Sequence, residues 1–224
     1  SRLADARTGQ VVDWAASALD VLTGPASSRT LTLQGADGPQ MALSGSVHIR
    51  AGDNFYLDGS ASFAKRSTSV TLADGAKIAV DALTVGATGV DAFVGLNGPY
   101  RQDSNGDGIV DAQDKINPKA SGLSLGGMNF GLGLFSAKDG AIDQAGKSLA
   151  GTRWMSLQAQ ANTVDLVDLQ GVSLNVSAVD VQINRVVGQP LGTSTVPVLD
   201  FDGDKALSIP TVGQGAVQLS LDGS

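Results

Sequence analysis

Residues 70–96 read VTLADGAKIAVDALTVGATGVDAFVGL, and the period of this stretch decides the fold class. Val70 and Leu72 alternate with polar residues. Ala73, Asp74 and Gly75 then supply turn chemistry, and Ile78 and Val80 resume the alternation beyond it. Leu83 with Val85, then Val90 with Ala92 and Val94, repeat the pattern. Side chains two apart share one face of a strand, whereas a helix needs steps of three and four. The stretch therefore reads as half-buried strands joined by a hairpin.

The same period extends outward in both directions. Upstream it gives Leu31 and Leu33, Met41 and Leu43, Val47 and Ile49, Phe55 and Leu57, then Ala61 and Phe63. Downstream it breaks at Gly98 and Pro99 and resumes at Gly122. Leu123, Leu125, Met128, Phe130, Leu132 and Leu134 follow. Residues 136–152 read as an exposed loop. Alternation returns at Met155, Leu157 and Ala159, at Val172, Leu174 and Val176, and at Val179, Val181 and Ile183. The tail adds residues 196–201, Leu207 and Ile209, and Val217, Leu219 and Leu221.

One segment departs from this pattern. Over residues 5–23, Val11, Val12, Ala15, Ala18, Leu19 and Leu22 recur at helical steps, and Gly24 and Pro25 would stop the helix. The expectation is an all-β chain of many short strands with one N-terminal α-helix. Its sheet is elongated, stacked or solenoid-like, although long meandering antiparallel strands fit the period equally well. Residues 1–26 form the helix and linker segment, and residues 27–224 form the β-rich domain.

Composition agrees with a turn-rich β protein. All 22 acidic residues are Asp, and 29 residues are Gly. Asp favours turns and caps where Glu favours helices. The net charge of −7 repels phosphate backbones, which argues against nucleic acid and anionic membranes as partners. No apolar run is long enough to insert in a membrane. Without cysteine there is no disulfide scaffold and no thiol chemistry. The start at Ser1 reads as a mature or excised segment.

Residues 103–114 carry the one specific motif, DSNGDGIVDAQD. It matches a twelve-residue calcium loop nearly position by position. Asp103, Asn105 and Asp107 stand at positions 1, 3 and 5. Gly108 allows the sharp turn at position 6, Ile109 offers its carbonyl at 7, and Asp111 stands at 9. Val110 is the apolar plug at position 8. Asp114 takes position 12, where a longer Glu is usual. Four carboxylates within twelve residues repel strongly unless a cation neutralises them. Ca2+ is therefore the expected cofactor. With Pro99 and Pro118 nearby there is no room for two long flanking helices, so the site is structural rather than a sensor.

Other candidates are weaker. Asp200, Asp202 and Asp204 provide half of a second ion site, with a strand-end turn as the plainer reading. His48 is the only histidine and should point away from Val47 and Ile49, towards solvent. No nucleophile motif and no selected pair of Asp residues supports an enzyme. Arg153 and Arg185 carry no context that would make either the base of a lyase.

The segments at Val70, Ala82 and Asp91, the calcium loop, and the run from Gly122 to Leu134 resemble repeat units of giant bacterial extracellular proteins, the calcium-binding, adhesin-like arrays. The resemblance covers roughly residues 30–190. It implies secretion, tandem repetition and calcium-stiffened architecture, with adhesive or matrix roles. The expected protein is thus a non-enzymatic extracellular or cell-surface module that assembles through repeats or into fibres. Its expected partners are calcium, like subunits or neighbouring repeats, and surface carbohydrate. The alternative is a carbohydrate-active β-helix protein, either a lyase or a carbohydrate-binding module. A lipid-carrying groove would fit the alternation but has no positive marker.

Overall fold

The computed structural model describes residues 11–35, 40–108, 110, 113–168, 176, 178–188, 195–212, 215–221 and 223. Its centre is one eight-stranded sheet. The long strands are β3 (Gln40–Ala51), β4 (Phe55–Leu72), β5 (Lys77–Leu96) and β8 (Ser121–Ala137). β9 (Arg153–Ala161), β10 (Thr163–Val167), β11 (Val179–Gly188) and β12 (Leu199–Asp200) complete it. The spine runs β11-β9-β8-β5-β4-β12, with β3 also on β4 and β10 also on β8. β1 (Leu19–Gly24) and β2 (Ser27–Leu31) form a separate hairpin. β6 (Arg101–Gln102) pairs with β7 (Lys115–Ile116), and β13 (Leu207–Pro210) pairs with β14 (Ala216–Leu219).

The all-β reading holds, in its meandering form. Every strand pairing described is antiparallel. A solenoid or β-helix coil would stack parallel neighbours instead. The strands are also longer than expected: β4 has 18 residues, β5 has 20 and β8 has 17. The turn at 73–75 is where the sequence places it. Gly75 N donates to Leu72 O at 2.8 Å, Asp74 Oδ1 accepts Ala76 N at 3.0 Å, and Gly75 takes φ 89°.

The N-terminal helix is not formed over residues 11–23; residues 5–10 of that expectation lie outside the described residues. Asp13 Oδ1 accepts the amides of Ala15 at 3.0 Å and Ala16 at 3.3 Å, which makes a local turn that competes with helix. Trp14 and Ala15 donate to Leu33 O. Leu19, Val21 and Thr23 also alternate at period two, and this weaker pattern wins because Ser27–Leu31 is there to pair with. Among the described residues there is no α-helix; Gly203–Lys205 forms a 3-10 turn. No helix among them is long and apolar enough to cross a membrane.

The main core lies on one face of the sheet. Trp154, Phe135, Val80, Ile78 and Leu72 point into it and are at most 4% exposed. Phe201, Ile209, Leu219 and Leu221 close it from the C-terminal segment. The Phe135 and Phe201 rings lie 5.7 Å apart at 39°, a tilted pair that adds about 0.5–1.5 kcal/mol beyond its buried area. Trp154 Nε1 donates to Pro197 O at 2.9 Å, so its one polar atom is satisfied at full burial. The segment 136–152, expected as an exposed loop, instead begins as the end of β8 and feeds this core through Leu149, which is 0% exposed.

Glycine sets how close β13 and β14 come. Gly86 pairs with Gly131 across β5 and β8. A Cβ at Gly86 would stand 2.4 Å from Pro210 O, and one at Gly131 would stand 3.2 Å from Ile209 Cδ1. Two adjacent glycines therefore make the floor on which the C-terminal hairpin lies.

The opposite face is apolar as well, and much of it stays in water. Register aligns Leu43, Phe63, Val85, Leu132, Leu157 and Ile183 in one row across six strands. Leu43 is 68% exposed and Phe63 39%.

Candidate metal centre

The predicted calcium loop leaves the sheet through a built frame. After β5, Asn97 takes φ 56° and the Gly98–Pro99 bond is cis. β6 and β7 then clamp the loop with a two-residue ladder, Arg101 opposite Ile116 and Gln102 opposite Lys115. Asn117 fixes both stems: Nδ2 donates to Asn97 O at 2.7 Å and to Pro99 O at 3.0 Å, and its amide donates to Tyr100 O at 2.8 Å. Asn117 is buried, so these bonds form away from competing water.

Inside the loop the carboxylates collect backbone N–H groups. Asp103 Oδ1 accepts Gly106 N at 2.7 Å and Asp103 Oδ2 accepts Gly108 N at 3.0 Å. Gly106 and Gly108 adopt φ 77° and 78°, a region costly for residues with a Cβ. Asn105 and Asp107 interlock: Asn105 Oδ1 accepts Asp107 N, and Asn105 Nδ2 donates to Asp107 Oδ2, both at 3.0 Å. At the far end Asp114, only 4% exposed, accepts Ser104 N at 2.8 Å and Ser104 Oγ at 3.2 Å on Oδ1.

The predicted donors Asp103, Asn105, Asp107 and Asp114 are thus gathered within one short hairpin. Ile109 and Asp111 lie outside the described residues. Among the described residues, which exclude Asp111, no three His, Cys, Asp or Glu side chains converge as a metal-binding group. The donor set is all oxygen, which suits a hard divalent cation, and the glycine-shaped turn gives it the required curvature. Val110, the expected plug, is half-buried beside Tyr100 in a cleft described below.

The second acidic cluster behaves as a strand-end turn. Asp200 pairs with Lys205 Nζ and accepts Asp202 N at 3.0 Å. The Lys205 bond, then the Asp202 amide, holds the Asp200 carboxyl below its usual value, and the same pairing raises Lys205. His48 is exposed as expected, yet it is paired: Nδ1 lies 2.8 Å from Asp58 Oδ1 on the adjacent strand.

Sequence reading missed Asn117, the Arg101 contact to the end of the loop, and the His48–Asp58 pair. Each joins residues distant along the chain, and no local spacing marks them. No protein-family model, no curated protein and no solved structure matches this chain.

Proposed function

We propose that this chain is a structural, adhesive module of an exported bacterial surface or matrix protein, stiffened by calcium at residues 103–114 and packed against like units. The observation that carries the reading is the exposed apolar face of the large sheet. Met41 is 63% exposed, Leu43 68%, Ile49 47% and Val94 46%. The register puts Met41, Leu43, Ile49, Phe63, Leu83, Val94, Leu134 and Val181 all on the face opposite the C-terminal hairpin. The Leu43 row is apolar from strand to strand, and large apolar side chains left exposed together in this way mark an interaction site.

The edge strand β3 adds a second feature. It pairs on one side with β4, and its Leu43 and Met41 lead the apolar row to that edge. A neighbouring unit laid on this face removes the row from water. An acidic surface keeps the assembly soluble.

Calcium supports the same role. It neutralises the Asp cluster and holds a long excursion rigid at one end of the sheet, as a load-bearing extracellular unit requires. The resemblance to adhesin-like repeats points the same way.

Sedimentation of the purified chain tests the proposal. Reversible association is expected, and Leu43→Asp with Phe63→Asp should return the chain to monomer with its far-UV spectrum unchanged. A strictly monomeric wild-type chain, or association indifferent to both substitutions, overturns it.

A further inference from the structure

We infer that a cleft between the large sheet and the β6–β7 hairpin binds a neutral, polyhydroxylated ring of carbohydrate type, and that this binding depends on the neighbouring calcium loop. The dependence on calcium rests on the reading above; the cleft itself does not.

Strand register builds the floor. One row runs Tyr56, Phe93, Ser124 and Asp165 across β4, β5, β8 and β10. In the next row Asp58 faces Asp91, and Gly126 faces Thr163. Residues two apart share a face, so both rows point into the same space. Gly126 keeps that space open: a Cβ there would stand 2.5 Å from Thr163 Oγ1 and 3.5 Å from Asp91 Oδ1. Tyr100, Arg101 and Val110 form the wall, and the half-open cleft has a volume of about 330 Å³. That size lies within the range of small-ligand clefts.

The lining selects the ligand class. Three carboxylates, Asp58, Asp91 and Asp165, disfavour any anion. An organic cation would want open aromatic faces. Those faces are already covered: Arg50 sits 5.2 Å from the Tyr56 centroid, Arg101 sits 5.4 Å from that of Tyr100, and Phe93 stacks on Tyr100 at 6.3 Å and 18°. The lining then offers an apolar floor, the hydroxyls of Ser124 and Thr163, the Asp165 carboxylate, and the further lone pairs of Asp58 and Asp91, which already hold His48 and the Gly127 amide. Sugar hydroxyls both donate and accept, and their C–H faces suit the apolar part.

Two details show a prepared site. Asp91 Oδ1 accepts Gly127 N at 2.8 Å, which orients the carboxylate in advance. Ser124 is only 5% exposed and lines the cleft between Phe93 and Asp165, so a ligand hydroxyl that reaches it bonds away from competing water.

The wall leads to the calcium loop. Arg101 Nη1 donates to Asp114 O at 2.7 Å, and Val110 belongs to the loop itself. Ordering the loop orders both.

The test titrates the isotope-labelled full chain with methyl glucoside, methyl mannoside, methyl galactoside and N-acetylglucosamine, followed by amide NMR, with calcium and with chelator. At least one sugar should shift the Ser124, Gly126 and Gly127 amides saturably. Asp165→Asn, at an exposed position, and Ser124→Ala should each weaken it about tenfold, the effect of one lost hydrogen bond. No saturable shift, or affinity unchanged from wild type in both variants, overturns the site. Displacement of the sugar by choline overturns the ligand class. Chelation should weaken binding; unchanged affinity overturns the coupling. Melting of the same samples separates the two readings: without a calcium-dependent shift the metal reading fails, while the sugar titration still decides the cleft.

Discussion

Arg101 Nη1 donates to the main-chain carbonyl of Asp114 across 2.7 Å, so a residue that precedes the acidic loop grips the residue that ends it. Asp114 in turn reaches back to Ser104 N at 2.8 Å. The loop is therefore closed by protein–protein bonds as well as by any ion. Frame and ion donors can be separated by substitution.

The ion donors are tested by melting. At calcium a hundredfold above its Kd the folded chain gains about 2.7 kcal/mol, or roughly 5–10 °C for a chain of this length. Asp107→Ala removes one proposed ligand from an exposed position. It should leave the chelated protein within about 0.5 kcal/mol of wild type and abolish the calcium shift. Scanning calorimetry with and without chelator reads both; a calcium shift that survives in the variant contradicts the assignment.

The frame should behave in the opposite way. Asp114→Ala removes the buried carboxylate that Ser104 N and Ser104 Oγ share, and with it the bond that closes the loop. The cost of about 1–3 kcal/mol should already appear in chelator, and in calcium the metal-dependent gain should be lost on top of it, because Asp114 is also a proposed donor. Urea midpoints in both conditions measure it. A loss confined to the calcium arm would make Asp114 a ligand only, with no part in closing the hairpin.

How much of this could be read from the chain depends on sequence distance. The hairpin at 73–75 and the strands around it were legible, because alternation and turn chemistry are local. Residues 11–23 were misread: their apolar residues satisfy helical steps, and only the presence of Ser27–Leu31 as a partner decides for a strand. The acidic excursion at 103–114 was legible as a Gly- and Asp-rich turn between strands, but Asn117 and Arg101, which hold its stems, were not. The cleft was invisible as a whole because four strands contribute to it. Its trace is a set of pairs two apart, Tyr56 with Asp58, Asp91 with Phe93, Thr163 with Asp165, which gain meaning only once register aligns them.

The glycine floor under β13 gives a packing test. Gly86→Val would bring a Cβ to 2.4 Å from Pro210 O and 2.8 Å from Ile209 Cγ2. Displacing the hairpin from the core should cost about 1–3 kcal/mol. Gly45→Val is the control: nothing lies within 4 Å of a Cβ there, and a β-branched residue suits a strand. The control should be neutral or slightly stabilising. Equal urea midpoints for the two variants would mean that β13 does not depend on Gly86.

Three carboxyls, Asp13, Asp81 and Asp200, sit below their usual value, and acid unfolding is tested through the last two. Ser67 Oγ donates to Asp81 at 2.7 Å, and Lys138 Nζ lies 3.4 Å away, so the Asp81 carboxyl sits below its usual 3.8. Asp200 is lowered chiefly by Lys205 and then by the Asp202 amide. A carboxyl depressed in the folded state stabilises above its unfolded pKa, and that contribution is lost as pH falls from about 3.8 through the lower folded value. Lys205 runs the other way: its raised pKa stabilises below 10.5, and the contribution is lost as pH climbs through the folded value. Stability should hold between these limits and fall on both sides. Asp81→Asn with Asp200→Asn should flatten the acid limb of urea midpoint against pH. Asp200→Asn alone should flatten the alkaline limb as well, because it removes the partner that raises Lys205. Both limbs should shrink in high salt, since these groups lie near water. An acid limb as steep in the double variant as in the wild type would place the responsible carboxylates elsewhere.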